Sequence, residues 1–516
     1  MIATLLLTIL AGGPREPGPN LVINPNFEKP NIDGTAPAAY ELVGKARWAW
    51  CGYSDEVSTK GVALRAFSTT GNANGSVSQL VTAVDQRNGK WLRFRFRGRA
   101  EDGFTVTNDR VAMKIGFYSK GGSNHLDSSQ RLIYREILRD RKDFAVNGND
   151  HNSGATAWRS YEFEEMMPFP EVDSVQLSVE FTNGNAKTDK FSAFYIQDFS
   201  LTQSPVSSDG RVEPAAKQVN LSAPPASKRA MIPLGGGWYY LPKDGEAVPL
   251  DAAGHLSSEL KVTDANATRL FYKDEHLENP FAGNMTAWLR RGNLDRNGQL
   301  VAEDRFIPDN VTLTFDRSGF VALHVHNIPN HPTAKFPDLV GTQGYNPSYI
   351  QEHDDTYYLP LVPTLNPNAV AMTDRDANGA LNMGPVGLAV NGVVFYNPFD
   401  ANMVDASNIM DRCCGHPSPD NRYHYHKYPI CVNTPFVDKG EAHSPIIGFA
   451  LDGFPVYGPY ESSGEMAKDL TQNPLNAFNA HYDSVRGWHY HATPGKFPYL
   501  IGGYLGLIDR RNFHRP

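Results

Sequence analysis

Beyond its first ten residues the chain has no stretch of 18 consecutive apolar residues, and it carries no run of basic ones. The first absence leaves nothing that would cross a bilayer as a helix. The second removes the basic footprint of a nucleic-acid binder, and a formal net charge of −8 over 516 residues selects no charged partner. Cysteine is scarce too, with 4 residues, which fit an oxidising compartment only loosely. Cys413 and Cys414 are vicinal, Cys431 follows, and Cys51 stands apart. One bridge from Cys431 to a member of the vicinal pair is the economical expectation, and a thiolate metal ligand is the alternative. No pair of carboxylates stands out near the histidine-rich blocks, which disfavours two-carboxylate hydrolysis.

Turn-forming residues are abundant: 45 Gly and 37 Pro favour many short strands over long helices. The length allows two or three domains. Residues 1–19 open with an apolar run, MIATLLLTIL, that closes on Ala11-Gly12-Gly13 and a proline-rich segment. This is the shape of a short secretory peptide, although a basic n-region is missing, and it predicts a secreted, periplasmic or extracellular protein.

Over residues 20–203, runs such as WLRFRFRG, VAMKIGFYS and SVQLSVEFT alternate apolar and polar residues at period two between Gly, Asn and Asp clusters. That pattern predicts an antiparallel β-sandwich. Its opening NLVINPNFE and closing FYIQDFSLTQ resemble the first and last strands of carbohydrate-holding jelly rolls. The resemblance makes a polysaccharide the expected substrate and Trp48, Trp50 and Tyr53 the candidate sugar-stacking residues. Residues 204–229, rich in Ser, Pro and Ala, read as a linker. Residues 230–516 read as a second, larger, mostly β domain with long loops and two short helices, one near MTAWLRR and one near Asn402 to Asp411.

The dominant feature of this second part is a repeated spacing. His416 is followed eight and ten residues later by His424 and His426, and His481 likewise by His489 and His491. Each unit has an aromatic before the paired histidines (Tyr423, Trp488), a Tyr between them (Tyr425, Tyr490), a Pro after them (Pro429, Pro494) and an Asn before them (Asn408, Asn473). We read an internal duplication of one His-x7-His-x-His unit. In a strand, alternate side chains share a face, so the paired imidazoles project together and the intervening tyrosines point into the core. A third imidazole from the preceding turn completes a three-nitrogen set suited to zinc or copper with a position left open. One dinuclear site and two separate sites fit the spacing equally, and a hydrogen-bonded duplication without metal is the plain alternative.

The blocks NRYHYHKYPIC, HSPIIGFALDGFPVYGPY and GWHYHATPGKFPYLIGGY resemble the signature of the YHYH domain family, a secreted bacterial module, across roughly residues 320 to 510. The second unit departs from the pattern, with Trp488-His489-Tyr490-His491 for the tetrapeptide and Phe478-Asn479-Ala480 where a cysteine and a glycine are expected. Within the resembling blocks, His443, Asp452 and Tyr457 are candidates for acid/base duty, as is His331. His324 and His326 form another alternate pair. Two Asp/Asn/Gly loops suggest structural calcium: Asn293, Asp295, Asn297, Gly298 and Asp304, and Asp374, Asp376, Asn378 and Gly379 with Pro385 where a bidentate Glu belongs. The expected function is metal-dependent cleavage of an extracellular glycan, by elimination or metal-assisted attack. A copper- or zinc-binding protein without turnover and a copper oxidase are the competing expectations.

Overall fold

In the computed structural model, placement is described for residues 19–513 apart from 45, 51–59, 66–73, 83, 101–108, 119–130, 139–157, 168–171, 184–192, 206–230, 264, 274–310, 332, 334–335, 338–345, 374–378, 402, 404, 407–409, 412 and 433–437. The expected export segment, most of the linker, Tyr53, Cys51, the first calcium loop, the helix near MTAWLRR, Asn408, and Asp374, Asp376 and Asn378 of the second loop lie outside the described residues. Regular structure among the described residues is nearly all β. The turns Gln86–Asn88, Ala267–Arg269, Ala467–Asp469 and Arg510–Asn512 are single 3-10 turns. No α-helix is described between Asn402 and Asp411.

Ten strands build the first part: β1 (Glu41–Gly44), β2 (Ala46–Trp50), β3 (Lys60–Arg65), β4 (Asn74–Val81), β5 (Trp91–Ala100), β6 (Asp109–Tyr118), β7 (Arg131–Leu138), β8 (Arg159–Met166), β9 (Ser174–Asn183) and β10 (Ala193–Ser204). They form two five-stranded sheets, ordered β1-β4-β9-β6-β7 and β2-β3-β10-β5-β8. Alternation explains the packing: Leu92, Phe94 and Phe96 of β5 point inward with Ile115, Leu177 and Phe199, while the arginines between them face out. Each fully buried aromatic or aliphatic side chain contributes about 1.5–3 kcal/mol.

The second part begins with two small sheets. β11 (Ile232–Gly235), β12 (Trp238–Tyr240) and β14 (Leu270–Tyr272) make one; β13 (Leu260–Val262), β15 (Val311–Phe315), β16 (Phe320–Val325) and β17 (Asp355–Pro360) make the other. The histidine units belong to an eight-stranded sheet. Its strands are β18 (Pro385–Ala389), β19 (Val394–Tyr396), β20 (Gly415–Pro417), β21 (Tyr423–Tyr425), β22 (Ile446–Ala450), β23 (Pro455–Tyr457), β26 (Ala480–Asp483) and β27 (Gly487–His491). A short hairpin, β24 (Tyr460–Ser462) and β25 (Glu465–Met466), lies between the last two pairs.

The order β20-β21-β19-β18-β22-β23-β27-β26 is symmetric about its centre. In each half a hairpin (β18–β19, β22–β23) is followed by a second hairpin (β20–β21, β26–β27) whose last strand pairs parallel to the first hairpin's. The duplication therefore exceeds the histidine spacing. GLAVNGVVFYNP (387–398) and GFALDGFPVYGP (448–459) are its leading hairpins.

Cys413 and Cys431 form a disulfide, which settles the choice left open by the vicinal pair; Cys414 is buried outside the bridge. The bridge closes a separation of 18 residues around the first histidine unit. Reduction is expected to cost about 3 kcal/mol by releasing that loop in the unfolded chain. Thermal unfolding with and without a reductant measures it, and an unchanged midpoint would contradict the expectation.

Candidate metal centres

Hairpin register assembles the first cluster. His416 lies directly opposite His424 across β20–β21, and His426 follows at the next same-face position, so three rings share one face. The Nε2 atoms of His416 and His426 are 3.0 Å apart, and those of His424 and His426 2.9 Å. Two nitrogens each ~2.0–2.1 Å from one ion lie about 2.9 Å apart at a right angle and about 3.3 Å apart at the tetrahedral angle. Both observed spacings therefore fall within the range expected of two nitrogens sharing one ion.

His416 Nδ1 faces the Asn346 amide nitrogen at 3.3 Å, while the other ring nitrogens of His424 and His426 fix their tautomers. His424 Nδ1 meets the Arg422 carbonyl at 3.0 Å, and His426 Nδ1 meets the Asn397 carbonyl at 2.5 Å. A carbonyl only accepts, so both Nδ1 atoms carry the proton and both Nε2 atoms present lone pairs. Burial pushes the His424 imidazolium well below its ordinary pKa and His426 down to about 4. Unprotonated nitrogens facing each other at this distance repel unless a cation lies between them, which is the fit expected of a metal site. Tyr396 stacks on His424 with centroids 3.8 Å apart.

The second cluster repeats this construction and adds to it. His481 lies opposite His489, with Nε2 atoms 3.1 Å apart, and His491 is the next same-face residue. Their Nδ1 atoms donate to the carbonyls of Asn473, Gly487 and Gly458 at 2.9, 2.9 and 2.7 Å. His443, just before β22, donates its Nδ1–H to the Ser444 carbonyl and turns Nε2 to the same point. Glu461 Oε2 stands 3.3 Å from His481 Nε2, 3.3 Å from His491 Nε2 and 3.5 Å from His443 Nε2. Yet His443 Nε2, His491 Nε2 and Glu461 Oε2 are all buried without a hydrogen bond among the described residues. These atoms face a shared space, an arrangement able to hold an ion.

The electrostatics agree. The surrounding histidines, His481 foremost, hold the Glu461 carboxyl well below the usual carboxylate range. Burial pushes His443 down to about 3 and His489 to about 2, whereas for His481 the Glu461 carboxylate outweighs burial and raises it. Three nitrogens, of His443, His489 and His491, and one anionic oxygen converge here with His481 beside them, against three nitrogens in the first cluster.

The sequence spacing located all six unit histidines but not Glu461. Its signal lay in the longer duplication: Tyr396-Asn397-Pro398-Phe399-Asp400 and Tyr457-Gly458-Pro459-Tyr460-Glu461 occupy equivalent positions. The shorter Asp400 does not join the first cluster's donor group among the described residues. The duplication also explains the second unit's missing cysteine. Cys414 and Asn479 are equivalent, both adopt positive φ (66° and 62°), and their carbonyls accept the N–H of His426 and His491 at 3.1 and 2.9 Å. The position needs a left-handed backbone, which Asn tolerates, and the thiol has no part in it.

Other candidate residues fall elsewhere. Tyr425 and Tyr490 are fully buried, as the alternation predicts. Asp452, also fully buried, accepts from Tyr490 Oη at 2.6 Å, Gly506 N at 2.9 Å and Phe454 N at 3.2 Å. Its counterpart Asn391 donates to Tyr425 Oη at 3.0 Å, and His331 Nε2 meets that same hydroxyl at 2.5 Å. His331 also lies beside Cys413 and Cys431, whose sulfurs are joined to each other. Tyr457 walls the second cluster, its ring edge-on to His443 and His489. His324 and His326 pair with Asp354 and Glu352 instead of joining either cluster. Trp48 is half-buried against the sandwich core, its indole N–H donating to the Phe27 carbonyl at 2.9 Å; of Trp50 only the strand position is described. Gly379 follows the undescribed part of the second calcium loop, and Pro385 opens β18.

No helix among the described residues is long and apolar enough to cross a membrane, which says nothing of strand-built spans. No curated protein matches the chain. Solved structures similar to its N-terminal portion include TmCBM61 in complex with β-1,4-galactotriose (15% identity, TM-score 0.23, covering 36% of this chain and 99% of that one). Another is the CBM22-1 xylan-binding domain from Paenibacillus barcinonensis Xyn10C (9% identity, TM-score 0.22, 37% and 99%). A third is Caldicellulosiruptor saccharolyticus CBM27-1 in complex with mannohexaose (14% identity, TM-score 0.22, 35% and 94%). Residues 356–472 match the YHYH protein family, a span that takes in the first histidine unit, His443 and Glu461 and stops short of the second unit.

Proposed function

We propose that this is a secreted metal-binding protein whose first histidine cluster is the working centre of an enzyme acting on extracellular polysaccharide. The observation that carries the metal reading is the convergence of buried histidine Nε2 atoms in two clusters built the same way. Zinc or copper suits an all-imidazole donor set. Three imidazoles would hold an ion and leave at least one of its coordination positions for another ligand. Zinc or copper bound there supplies Lewis acidity toward a substrate oxygen. The protein's share is to hold His424 and His426 through their Nδ1–H bonds and to keep Tyr396 over His424. The polysaccharide belongs to the proposal through the sandwich, an architecture that serves lectins among others.

Within this reading His443 is a ligand, since its free nitrogen joins the second cluster. Asp452 and His331 support the buried tyrosines. Tyr457 lines the second cluster and so takes no part at the first, where the equivalent tyrosine is Tyr396. The second reading, a zinc- or copper-binding protein without turnover, is favoured by the depth of the first cluster: His416, His424 and His426 are only 7, 2 and 2% exposed.

Protein purified without added metal is expected to hold transition metal at about one equivalent per cluster. Less than about a tenth of an equivalent, against the tight binding ordinary at such sites, discredits both readings. Incubation with a panel of polysaccharides, following unsaturated products by ultraviolet absorbance together with reducing ends, then divides them. Unsaturated ends support elimination and reducing ends alone metal-assisted hydrolysis. Neither, with metal retained, selects the binder.

A further inference from the structure

The two clusters have diverged in what surrounds them. The first takes its three nitrogens from one hairpin and the residue that follows it, His416, His424 and His426. The second draws its donors from four separate places: His443 before β22, Glu461 on β24, His481 on β26, and His489 and His491 on β27. One of those places is bound to the other half of the molecule. Tyr460, the residue before Glu461, is 1% exposed and packs with Met466 of β25 into the sandwich's own hydrophobic cluster, alongside Phe27, Phe94 and Phe199. On a strand, neighbours face opposite ways. Tyr460 therefore enters the sandwich core while Glu461 enters the histidine cluster.

The same tyrosine is fixed to a second donor. Its N–H donates to Ser444 Oγ at 2.8 Å and its carbonyl accepts from Ser444 N at 2.9 Å, and Ser444 follows His443. Two of the four donors that share one point, His443 and Glu461, thus hang on one residue seated in the sandwich.

We propose that the second cluster is a closed structural site for a divalent transition cation, and that Glu461 and His443 make it the rivet between the sandwich and the histidine sheet. The inference rests on the metal reading above, though on no catalytic one. His443, His489, His491 and Glu461 bring four donor atoms within reach of one ion, and four protein donors fill the tetrahedral coordination of structural zinc, where a catalytic site keeps one position open. The carboxylate neutralises half the charge of a divalent ion, which a monovalent ion would not require. Linkage makes the effect reciprocal: an ion that binds only with Glu461 in place favours the docked sandwich by as much as docking favours the ion.

The test uses the full chain, stripped with a chelator and reloaded with zinc alone, with metal equivalents counted and hydrogen exchange followed across residues 460–466. Glu461→Gln is expected to weaken zinc at one of two sites by at least ~10-fold, a carboxylate ligand being lost. Exchange across 460–466 should rise accordingly. His426→Ala should lose the other ion and leave that exchange unchanged. Tyr460→Leu, which keeps an apolar residue in the sandwich, should weaken the same zinc as Glu461→Gln. Full zinc affinity in Glu461→Gln, or protection of 460–466 that ignores zinc while both clusters are loaded, overturns this inference alone. Failure of the unaltered protein to hold zinc or any transition metal overturns the metal reading with it.

Discussion

Replacing His426 by alanine is expected to empty the first cluster and leave the second loaded. His426 is the shared member: its Nε2 is the one within 3.0 Å of both companions, so removing it leaves two nitrogens that no longer enclose a point. Two donors hold an ion far more weakly than three. Metal analysis should fall by about one equivalent per chain. Because an ion at 1,000 times its dissociation constant stabilises a fold by about 4 kcal/mol, the metal-loaded protein should also unfold at a lower temperature by the corresponding amount. The stripped protein should show a smaller difference between the two chains. His491→Ala is expected to do the same at the second cluster, since its donors form a separate group. Loss of all bound metal from either single substitution would mean that the clusters act as one.

The histidine spacing was enough to predict which rings meet, because both devices involved are local. A hairpin sets His416 against His424, and the two-residue period sets His424 beside His426. The burial of Tyr425 and Tyr490 follows from the same alternation. What the sequence did not disclose depends on pairings between distant strands. Glu461 reaches the cluster because β23 pairs parallel with β27, a partnership no periodicity announces. His443, read as a base from its place at the head of a Gly- and Pro-rich block, becomes a donor through the same long-range pairing. The leading hairpins were legible in principle, but they repeat at an offset of 61 residues (Tyr396, Tyr457) and the histidines at 65 (His426, His491). A single fixed period therefore hides half of the duplication. In the sandwich, strand alternation sufficed, while no residue pattern told whether Trp48 faces a ligand or the core it is found to touch.

A second large effect is expected at Tyr490, and the duplication supplies its control. The Tyr490 hydroxyl donates to the Asp452 carboxylate at 2.6 Å and accepts from Leu505 N at 2.7 Å, all in full burial. Tyr490→Phe leaves a buried charge short of a donor and a backbone N–H without its acceptor. Such losses cost about 3–5 kcal/mol when a charge is left uncompensated. Burial raises the Asp452 carboxyl to about 6. A raised carboxyl favours the folded state below its unfolded value of about 3.9, and that contribution is lost as pH climbs through about 6. In the unaltered protein the shift amounts to about 3 kcal/mol between these limits. Removing the hydroxyl raises the carboxyl further, so the Tyr490→Phe penalty should be larger at pH 8 than at pH 5. At the equivalent position the Tyr425 hydroxyl meets neutral Asn391 and the His331 imidazole, and Tyr425→Phe should cost about 1–3 kcal/mol with no carboxylate bonded to that hydroxyl. Denaturant unfolding of both variants at pH 5 and pH 8 makes the comparison. Equal losses at the two tyrosines, or a Tyr490→Phe penalty that does not grow with pH, would show that Asp452 carries no charge in the folded protein at neutral pH.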